Sequence, residues 1–130
     1  MTRNELFTKL NKLCNKLDEQ YSINHGGCCF VAATLARQLE KYNIPFSVIY
    51  YNLCGTHFAI KVSDRIINRA EYRKREIEDI YFWNSEYLYE TYYSEDWNPT
   101  YNTQYNLVVE EKIKSVFKRY GNSRKKLCNL

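Results

Sequence analysis

The sequence predicts a small α+β domain in which helices pack on a small antiparallel sheet. Two stretches with apolar residues at helical spacing come first. Three short segments rich in branched and aromatic residues follow them, before the helical pattern returns. No helical stretch separates these β segments, whereas parallel strands need a long crossover connection. We therefore expect a single domain over residues 1–130 with antiparallel strands.

Two helices are predicted before the sheet. Leucines at helical spacing predict the first over about residues 3–20, and they are Leu6, Leu10, Leu13 and Leu17. The second starts at Cys28, directly after a pair of glycines, and runs to about Tyr42. Pro45 then keeps the helix from continuing, because the residue before a proline is pushed out of helical geometry.

The three β segments cover residues 46–51, 56–62 and 65–70. Branched and aromatic residues favour strands, and the second segment also alternates between apolar and polar positions. The tight corner at Ser63 and Asp64 predicts that the last two segments pair as a hairpin.

Two further helices are predicted in the last third of the chain. Ser85 is placed to cap a short helix that ends near Tyr93. Asn102 or Thr103 opens the last helix, and Gly121 terminates it. The apolar stripe of this last helix consists of Val109, Ile113, Val116, Phe117 and Tyr120.

The charge balance argues against nucleic acid as a partner. The chain has 19 Lys+Arg and 15 Asp+Glu, and the resulting net charge of +4 is small for a protein that binds phosphate backbones. Seven of the basic residues fall within residues 112–126. We interpret this basic tail as a helix end whose charges complement the helix dipole.

The cysteines and the hydropathy pattern indicate a cytoplasmic protein. Five cysteines are an odd number, and Cys28 and Cys29 are adjacent, which suits a disulfide framework badly. No apolar run approaches the ~20 residues that a membrane helix needs, and residues 1–17 lack a signal-peptide core. The many Asn, Lys, Ile and Tyr residues, whose codons are rich in A and T, suggest an A/T-rich bacterial or phage genome.

Cys28 is the candidate nucleophile. It stands in the first turn of the second predicted helix, where unpaired backbone N–H groups and the helix dipole favour a thiolate. On a helical wheel Cys28 lies at the centre of the apolar stripe that must face the sheet, whereas Cys29 points about 100° away. The backbone N–H of Cys28 or Cys29 is a candidate donor to the oxyanion of a tetrahedral intermediate.

His57 is the candidate base, and Asn68 is the residue expected to orient it. Alternation places Phe58 and Ile60 on one face of the second strand and His57 on the opposite face, where we expect the helix to approach. A two-residue corner after residue 62 puts Asn68 on the face of His57. Its amide oxygen would accept a hydrogen bond from one imidazole nitrogen and direct the other nitrogen at the thiol.

This set of residues resembles the core of the papain-like and transglutaminase-like cysteine enzymes, of which the NlpC-type cell-wall peptidases are compact examples. The resemblance covers residues 20–70 and rests on Gly-Gly-Cys-Cys-Phe at 26–30, His-Phe-Ala-Ile-Lys-Val at 57–62, and Asn68. It implies a cysteine that opens a helix, a histidine that begins a strand, and a polar residue on the next strand that orients the histidine.

The chain departs from the family pattern at the position that supplies an oxyanion donor. Papain-like proteases have a glutamine six residues before the cysteine, and this chain has Ser22 there. Gln20 and Asn24 are the candidates to replace it. Transglutaminases usually have an aspartate where this chain has Asn68.

The predicted function is therefore that of a cysteine peptidase or amidase. Cys28 attacks an amide carbonyl, His57 moves the proton, and an acyl thioester is resolved by water, or by an amine in a transferase. The substrate would be an amide in a protein, in a peptide or in a peptidoglycan-like polymer. The chemistry requires neither a metal nor an organic cofactor.

Two other interpretations stay open at this stage. A structural zinc site would use His25, Cys28, Cys54 and His57, which form two pairs with ligand-like spacing. A catalytically inactive papain-like binding module would instead use the aromatic-rich segment 81–105, which holds ten aromatic residues.

Overall fold

The computed structural model describes residues 1–25, 27–52, 55–70, 79–92 and 103–128. The fold in these ranges is mixed α+β with an antiparallel sheet, as the sequence predicts. Among these residues, no helix combines the length and apolar character that a bilayer crossing demands. The elements in chain order are α1 (Arg3–Tyr21), α2 (Cys28–Lys41), β1 (Ser47–Asn52), β2 (Thr56–Val62), β3 (Arg65–Ile67), β4 (Tyr81–Trp83), α3 (Ser85–Tyr92) and α4 (Thr103–Cys128).

The strands form one sheet in the order β3-β2-β1-β4. β2 and β3 make the predicted hairpin, in which Lys61 stands opposite Ile66. β1 pairs with β2, and this pairing sets Tyr51 opposite His57. β4 pairs with the other side of β1. It lies outside the strands that the sequence predicts, because three residues are too few to show a strand period.

The helices cover one face of the sheet. Val48 and Ile60 belong to the same core as the apolar residues of α1, α2 and α4. The opposite face carries a second, smaller cluster that includes Tyr51 and Ala59, and His57 shares this face by alternation. The expectation that the helix approaches the face of His57 is therefore wrong. The branched side chains on the Ile60 face bury more apolar area, so the helices pack there.

α2 is the central helix of this core. Ten of its 14 residues are buried, and α2 contacts β2, α3 and α4. Leu35 and Leu39 are fully buried, and each such burial contributes about 1.5–3 kcal/mol to folding. At the end of α2, the Tyr42 ring stacks on Phe117 of α4, with ring centroids 5.8 Å apart. This packing on several sides holds α2 in place against the sheet and the other helices.

Side-chain caps start two of the helices. Thr2 Oγ1 accepts a hydrogen bond of 3.1 Å from the Glu5 N–H at the start of α1. At the start of α3, Asn84 Oδ1 accepts a hydrogen bond of 2.8 Å from the Glu86 N–H. The side-chain cap of α3 is thus Asn84, whereas the sequence favours Ser85.

Two element ends also differ from the sequence expectation. β3 ends at Ile67, earlier than predicted, because Asn68 adopts a left-handed φ of 63° that turns the chain out of the strand. α4 continues through Gly121 to Cys128. A Cβ at Gly121 would come within 2.5 Å of the Tyr42 ring. This glycine therefore allows close packing of α4 and does not end the helix.

Candidate active site

Cys28 begins α2 directly after Gly27, a glycine that no other residue can easily replace. Gly27 is the N-cap, and its carbonyl accepts a hydrogen bond of 3.1 Å from the Val31 N–H. The backbone N–H groups of Cys28 and Cys29 lie before this first helical bond, so the helix ladder does not use them. A Cβ on Gly27 would come within 2.6 Å of the Ile23 oxygen. Glycine lets the loop close this tightly.

The Cys28 thiol lies against the edge of β2. Its Sγ is 4.0 Å from the Thr56 carbonyl oxygen, to which the sulfur donates only when it is protonated. The Phe58 backbone N–H hydrogen-bonds to the sulfur and favours the thiolate. Backbone groups two residues apart point to the same side of a strand. β3 pairs with β2 only over Ile60–Val62. Cys28 therefore takes up the stretch of edge that β3 leaves uncovered.

His57 is buried, and its ring is held at Nε2. This nitrogen lies 2.7 Å from the backbone oxygen of Asn68. Because a carbonyl oxygen only accepts, Nε2 carries a hydrogen and donates it. Nδ1 is then the ring nitrogen left for the hydrogen bond between His57 and Cys28. Tyr51 packs edge-on against the ring with centroids 5.3 Å apart, and its hydroxyl donates to the Arg69 oxygen at 2.6 Å.

The surroundings of Cys28 lower the pKa of its thiol from 9.0 to about 4. The largest cause is a hydrogen bond from the Cys29 side chain. Burial raises the pKa of Cys28, but the hydrogen bond and positive charge of His57 and the Phe58 N–H lower it further. These contacts favour the thiolate form of Cys28. Cys14 is the opposite case, since burial in the core raises the pKa of its thiol to about 12.

Asn68 holds His57 with its main chain and not with its side chain. The sequence assigns this role to the Asn68 amide, and that assignment is wrong. The amide instead pairs with the amide of Asn24, through hydrogen bonds of 3.1 Å and 2.9 Å. The Asn68 N–H donates to Asn11 Oδ1 at 3.0 Å. The left-handed turn at Asn68 swings its side chain away from the imidazole and its carbonyl towards it.

The three oxyanion candidates occupy different places. The Asn24 amide is engaged by Asn68 on both its oxygen and its nitrogen. Gln20 is exposed in the last turn of α1. Cys29 follows Cys28 in the first turn of α2, where its backbone N–H lies near the candidate nucleophile. The backbone N–H groups of α2 are therefore the best-placed oxyanion donors in the described residues.

The zinc interpretation receives no support from the described part of the chain. Within it, no three side chains of His, Cys, Asp or Glu come together as metal ligands. His25, Cys28 and His57 therefore do not form a group of three ligands, and His25 is exposed. Cys54 lies outside the described residues.

Asn11 is a site residue that the sequence analysis misses. Its Oδ1 accepts from the Asn68 N–H, and its Nδ2 donates to the Ile66 oxygen at 3.4 Å. A signal for it exists in the helical pattern of α1. Asn11 stands four residues after Phe7 and three before Cys14, so a polar side chain interrupts the buried stripe. A half-buried amide in such a place needs hydrogen-bond partners.

Exposed aromatic residues lie on the sheet beside Phe58. Tyr50 stacks on Tyr81 with centroids 5.2 Å apart, and Phe58 meets Trp83 edge-on at 5.8 Å. Tyr81 is 52% exposed and Trp83 is 44% exposed. Tyr50, Phe58, Tyr81 and Trp83 form the aromatic cluster. Residues 93–102 of the aromatic-rich segment lie outside the described residues.

Two open cavities lie at the end of the sheet away from Cys28. The larger, about 730 Å³, is lined by residues 43–48 and by Trp83 among others. The smaller, about 480 Å³, shares Phe46 with it and extends to Lys61. Neither cavity is lined by Cys28 or His57. They do not belong to the candidate active site.

Comparison of this chain with protein-family models, with curated proteins and with solved structures finds no match.

Proposed function

We propose that this chain is a cysteine-dependent amide hydrolase with a papain-like arrangement of its catalytic residues. The observation that carries the proposal is the pairing of Cys28 with His57 at the first turn of α2. The pKa of Cys28 is lowered to about 4 there, and a carbonyl at 2.7 Å fixes the His57 ring. A nucleophile, a base and an orienting group are the minimum set for covalent acyl transfer.

In the first half of the proposed reaction, the Cys28 sulfur forms a bond to the amide carbonyl carbon. The carbonyl electron pair moves to oxygen, and the resulting oxyanion lies by the backbone N–H groups of α2. The intermediate collapses, the C–N bond breaks, and Nδ1 of His57 gives its proton to the leaving amine. The product of this half is an acyl thioester on Cys28.

In the second half, water attacks the thioester carbonyl while Nδ1 of His57 takes a proton from it. The second tetrahedral intermediate collapses, the C–S bond breaks, and the acid leaves. Cys28 is again a thiolate, and the His57 ring is again protonated. Throughout, the Nε2–H of His57 stays on the Asn68 oxygen, so that Nδ1 keeps facing the reacting atoms.

The substrate in this proposal is an amide in a protein, in a peptide or in a peptidoglycan-like polymer. The aromatic cluster adjoins the site, because the Phe58 N–H touches the Cys28 sulfur while the Phe58 ring meets Trp83. An exposed aromatic surface of this kind suits an apolar side chain or the C–H face of a sugar.

The proposal is tested with p-nitrophenyl acetate, a generic acyl donor. The protein should release a burst of p-nitrophenol, and mass spectrometry should find an acetyl group on the Cys28 peptide. Cys28→Ala should abolish the burst, and His57→Ala should leave an acetyl-enzyme that decays much more slowly. Acetylation spread evenly over exposed nucleophiles, and unchanged in Cys28→Ala, would refute the proposal.

A second candidate function is binding without catalysis, and the exposed aromatic cluster favours it. In that case the cluster, and not Cys28, would carry the biological activity. Cys28→Ala would then retain this activity while Trp83→Ala would lose it, which is the reverse of what the hydrolase proposal expects of Cys28→Ala.

A further inference from the structure

We propose that Asn11 and Asn24 are positioning residues, which hold the Asn68 carbonyl on His57 and tie the nucleophile and the base to one framework. This inference rests on the proposed function of Cys28 and His57. It assigns roles to two residues that the reaction itself does not touch.

The Asn68 carbonyl needs support from outside its own segment. Asn68 lies directly after the last residue of β3 and has a left-handed φ of 63°. Asparagine adopts this conformation more readily than other residues that carry a Cβ, but strand pairing no longer restrains it here. A modest rotation of the peptide after Asn68 would move its oxygen away from His57 Nε2, so the observed distance of 2.7 Å requires other restraints.

Asn11 supplies the first restraint, from α1. Its Oδ1 accepts the Asn68 N–H at 3.0 Å, and its Nδ2 donates to the Ile66 oxygen at 3.4 Å. One side chain thus spans the end of β3 and occupies backbone groups on both sides of Ile67. Because Asn11 sits in the middle of a 19-residue helix, it is a rigid support for this turn.

Asn24 supplies the second restraint, from the loop that leads to Cys28. Its amide exchanges two hydrogen bonds with the Asn68 amide, at 3.1 Å and 2.9 Å. Its own N–H donates to Asp18 Oδ1 at 3.0 Å, which anchors this loop to α1. Asn24 stands three residues before Gly27, the N-cap of α2. The pair therefore joins the segment that holds the base to the segment that presents the nucleophile.

Loss of either restraint should act on the ring of His57 first. With the carbonyl displaced, Nε2 loses its acceptor, and the ring is free to turn or to change tautomer. Nδ1 then no longer faces the sulfur, and one of the interactions that keep Cys28 ionised is lost. A substitution that only loosened the fold would have no such specific effect on ionisation.

The test measures the pH dependence of iodoacetamide labelling of Cys28 by mass spectrometry. The variants are Asn11→Leu, which removes both hydrogen bonds of that amide, Asn24→Ala, and Asn11→Asp, which keeps the acceptor for the Asn68 N–H. Asn15→Leu is the matched control, because Asn15 is an exposed asparagine one turn further along α1. Labelling of Cys14 reports unfolding in the same experiment, since Cys14 is buried in the native core.

We expect labelling of Cys28 near pH 5 to fall about tenfold in Asn11→Leu and in Asn24→Ala, which corresponds to a rise of about two pKa units in the thiol from its value of about 4. Asn11→Asp should restore most of the rate, and Asn15→Leu should behave as the native protein. If Asn11→Leu exposes Cys14 and so fails to fold, Asn24→Ala carries the test.

Folded variants that label Cys28 at the native rate across the pH range would overturn the inference and leave the proposed function intact. If the unaltered protein already lacks labelling at low pH, the proposed function itself fails, and the roles of Asn11 and Asn24 fail with it. The two failures are therefore distinguishable in one series of measurements.

Discussion

His57 Nε2 lies 2.7 Å from the backbone oxygen of Asn68, while the Asn68 amide points away to Asn24. The orienting group of this candidate active site is thus a main-chain carbonyl whose direction depends on a left-handed residue. A carbonyl cannot be removed by substituting a side chain, but its direction can be changed.

The first prediction concerns the conformation of Asn68. Asn68→Ala and Asn68→Gly both remove the amide pair with Asn24, but only glycine adopts the φ of 63° without steric cost. We expect Asn68→Gly to be more stable than Asn68→Ala by about 1 kcal/mol in urea unfolding. Asn68→Gly should also keep more of the low-pH labelling of Cys28. Equal stability of the two variants would argue against a strained turn at this position.

The second prediction concerns the hydrogen bond between the two adjacent cysteines. The Cys29 side chain is the largest cause of the lowered pKa of Cys28, so Cys29→Ala should raise that pKa. The thiolate fraction, and with it the alkylation rate, would then fall at pH 5 but not at pH 9. Cys29→Ser keeps a donor and should stay close to the native profile. A profile that is the same in all three proteins would exclude this role for Cys29.

The third prediction concerns Gly27. A methyl group there would meet the Ile23 oxygen at 2.6 Å, and the backbone must move to relieve the clash. We expect Gly27→Ala to cost about 1–3 kcal/mol of stability and to slow Cys28 labelling, because the first turn of α2 shifts relative to His57. Gly55→Ala is a comparison of a different kind: a Cβ at Gly55 meets open space, but the φ of 112° disfavours any side chain, so this variant should lose stability through backbone strain without a clash. If Gly27→Ala labels and unfolds as the native protein does, the glycine has no such structural role.

The fourth prediction concerns Gly121 in the middle of α4. Alanine is a better helix former than glycine by about 1 kcal/mol, so propensity alone favours Gly121→Ala. The Tyr42 ring opposes the substitution, because Tyr42 Cε1 would lie 2.5 Å from the Cβ of the new alanine. We expect Gly121→Ala to destabilise the native protein but to stabilise a Tyr42→Ala protein. Thermal unfolding of the four proteins in this cycle measures the coupling, and additive effects would contradict the close contact.

The parts of the fold that the sequence predicts best are those with a clear period. The leucine stripe of α1 predicts a helix over about residues 3–20, and the structure has Arg3–Tyr21. The alternation of β2 and the corner at Ser63 predict the hairpin and its register. A periodic pattern reports which side chains are buried together, and burial is what selects a helix or a strand at these places.

The places where the sequence fails are those where one contact overrides a local preference. Gly121 is a good helix terminator in isolation, but the Tyr42 ring packs where a side chain would be, and the helix continues past it. Asn68 fits a strand by position, yet its hydrogen bonds with Asn11 and Asn24 hold it in a left-handed turn. Long-range contacts of this kind leave no period in the sequence, so local reasoning does not find them.

In the candidate site, chain order and residue type predict which residues meet, but they do not predict how the side chains are arranged. Cys28 at a helix start and His57 on a strand come together as the sequence predicts. The sequence predicts that the helix lies over the face of His57, whereas the Cys28 sulfur approaches the ring from the edge of β2. The assignment of the orienting group to a side chain fails for the same reason, since it assumes a strand that continues through Asn68.

The most direct test of the account is the thiolate absorbance of the protein as a function of pH, taken as the difference from Cys28→Ala. This difference isolates the ionisation of one sulfur. We predict a step with a midpoint near pH 4, which moves to higher pH in His57→Ala. A step that appears only around the ordinary thiol value of 9.0, and that His57→Ala leaves in place, would contradict the account.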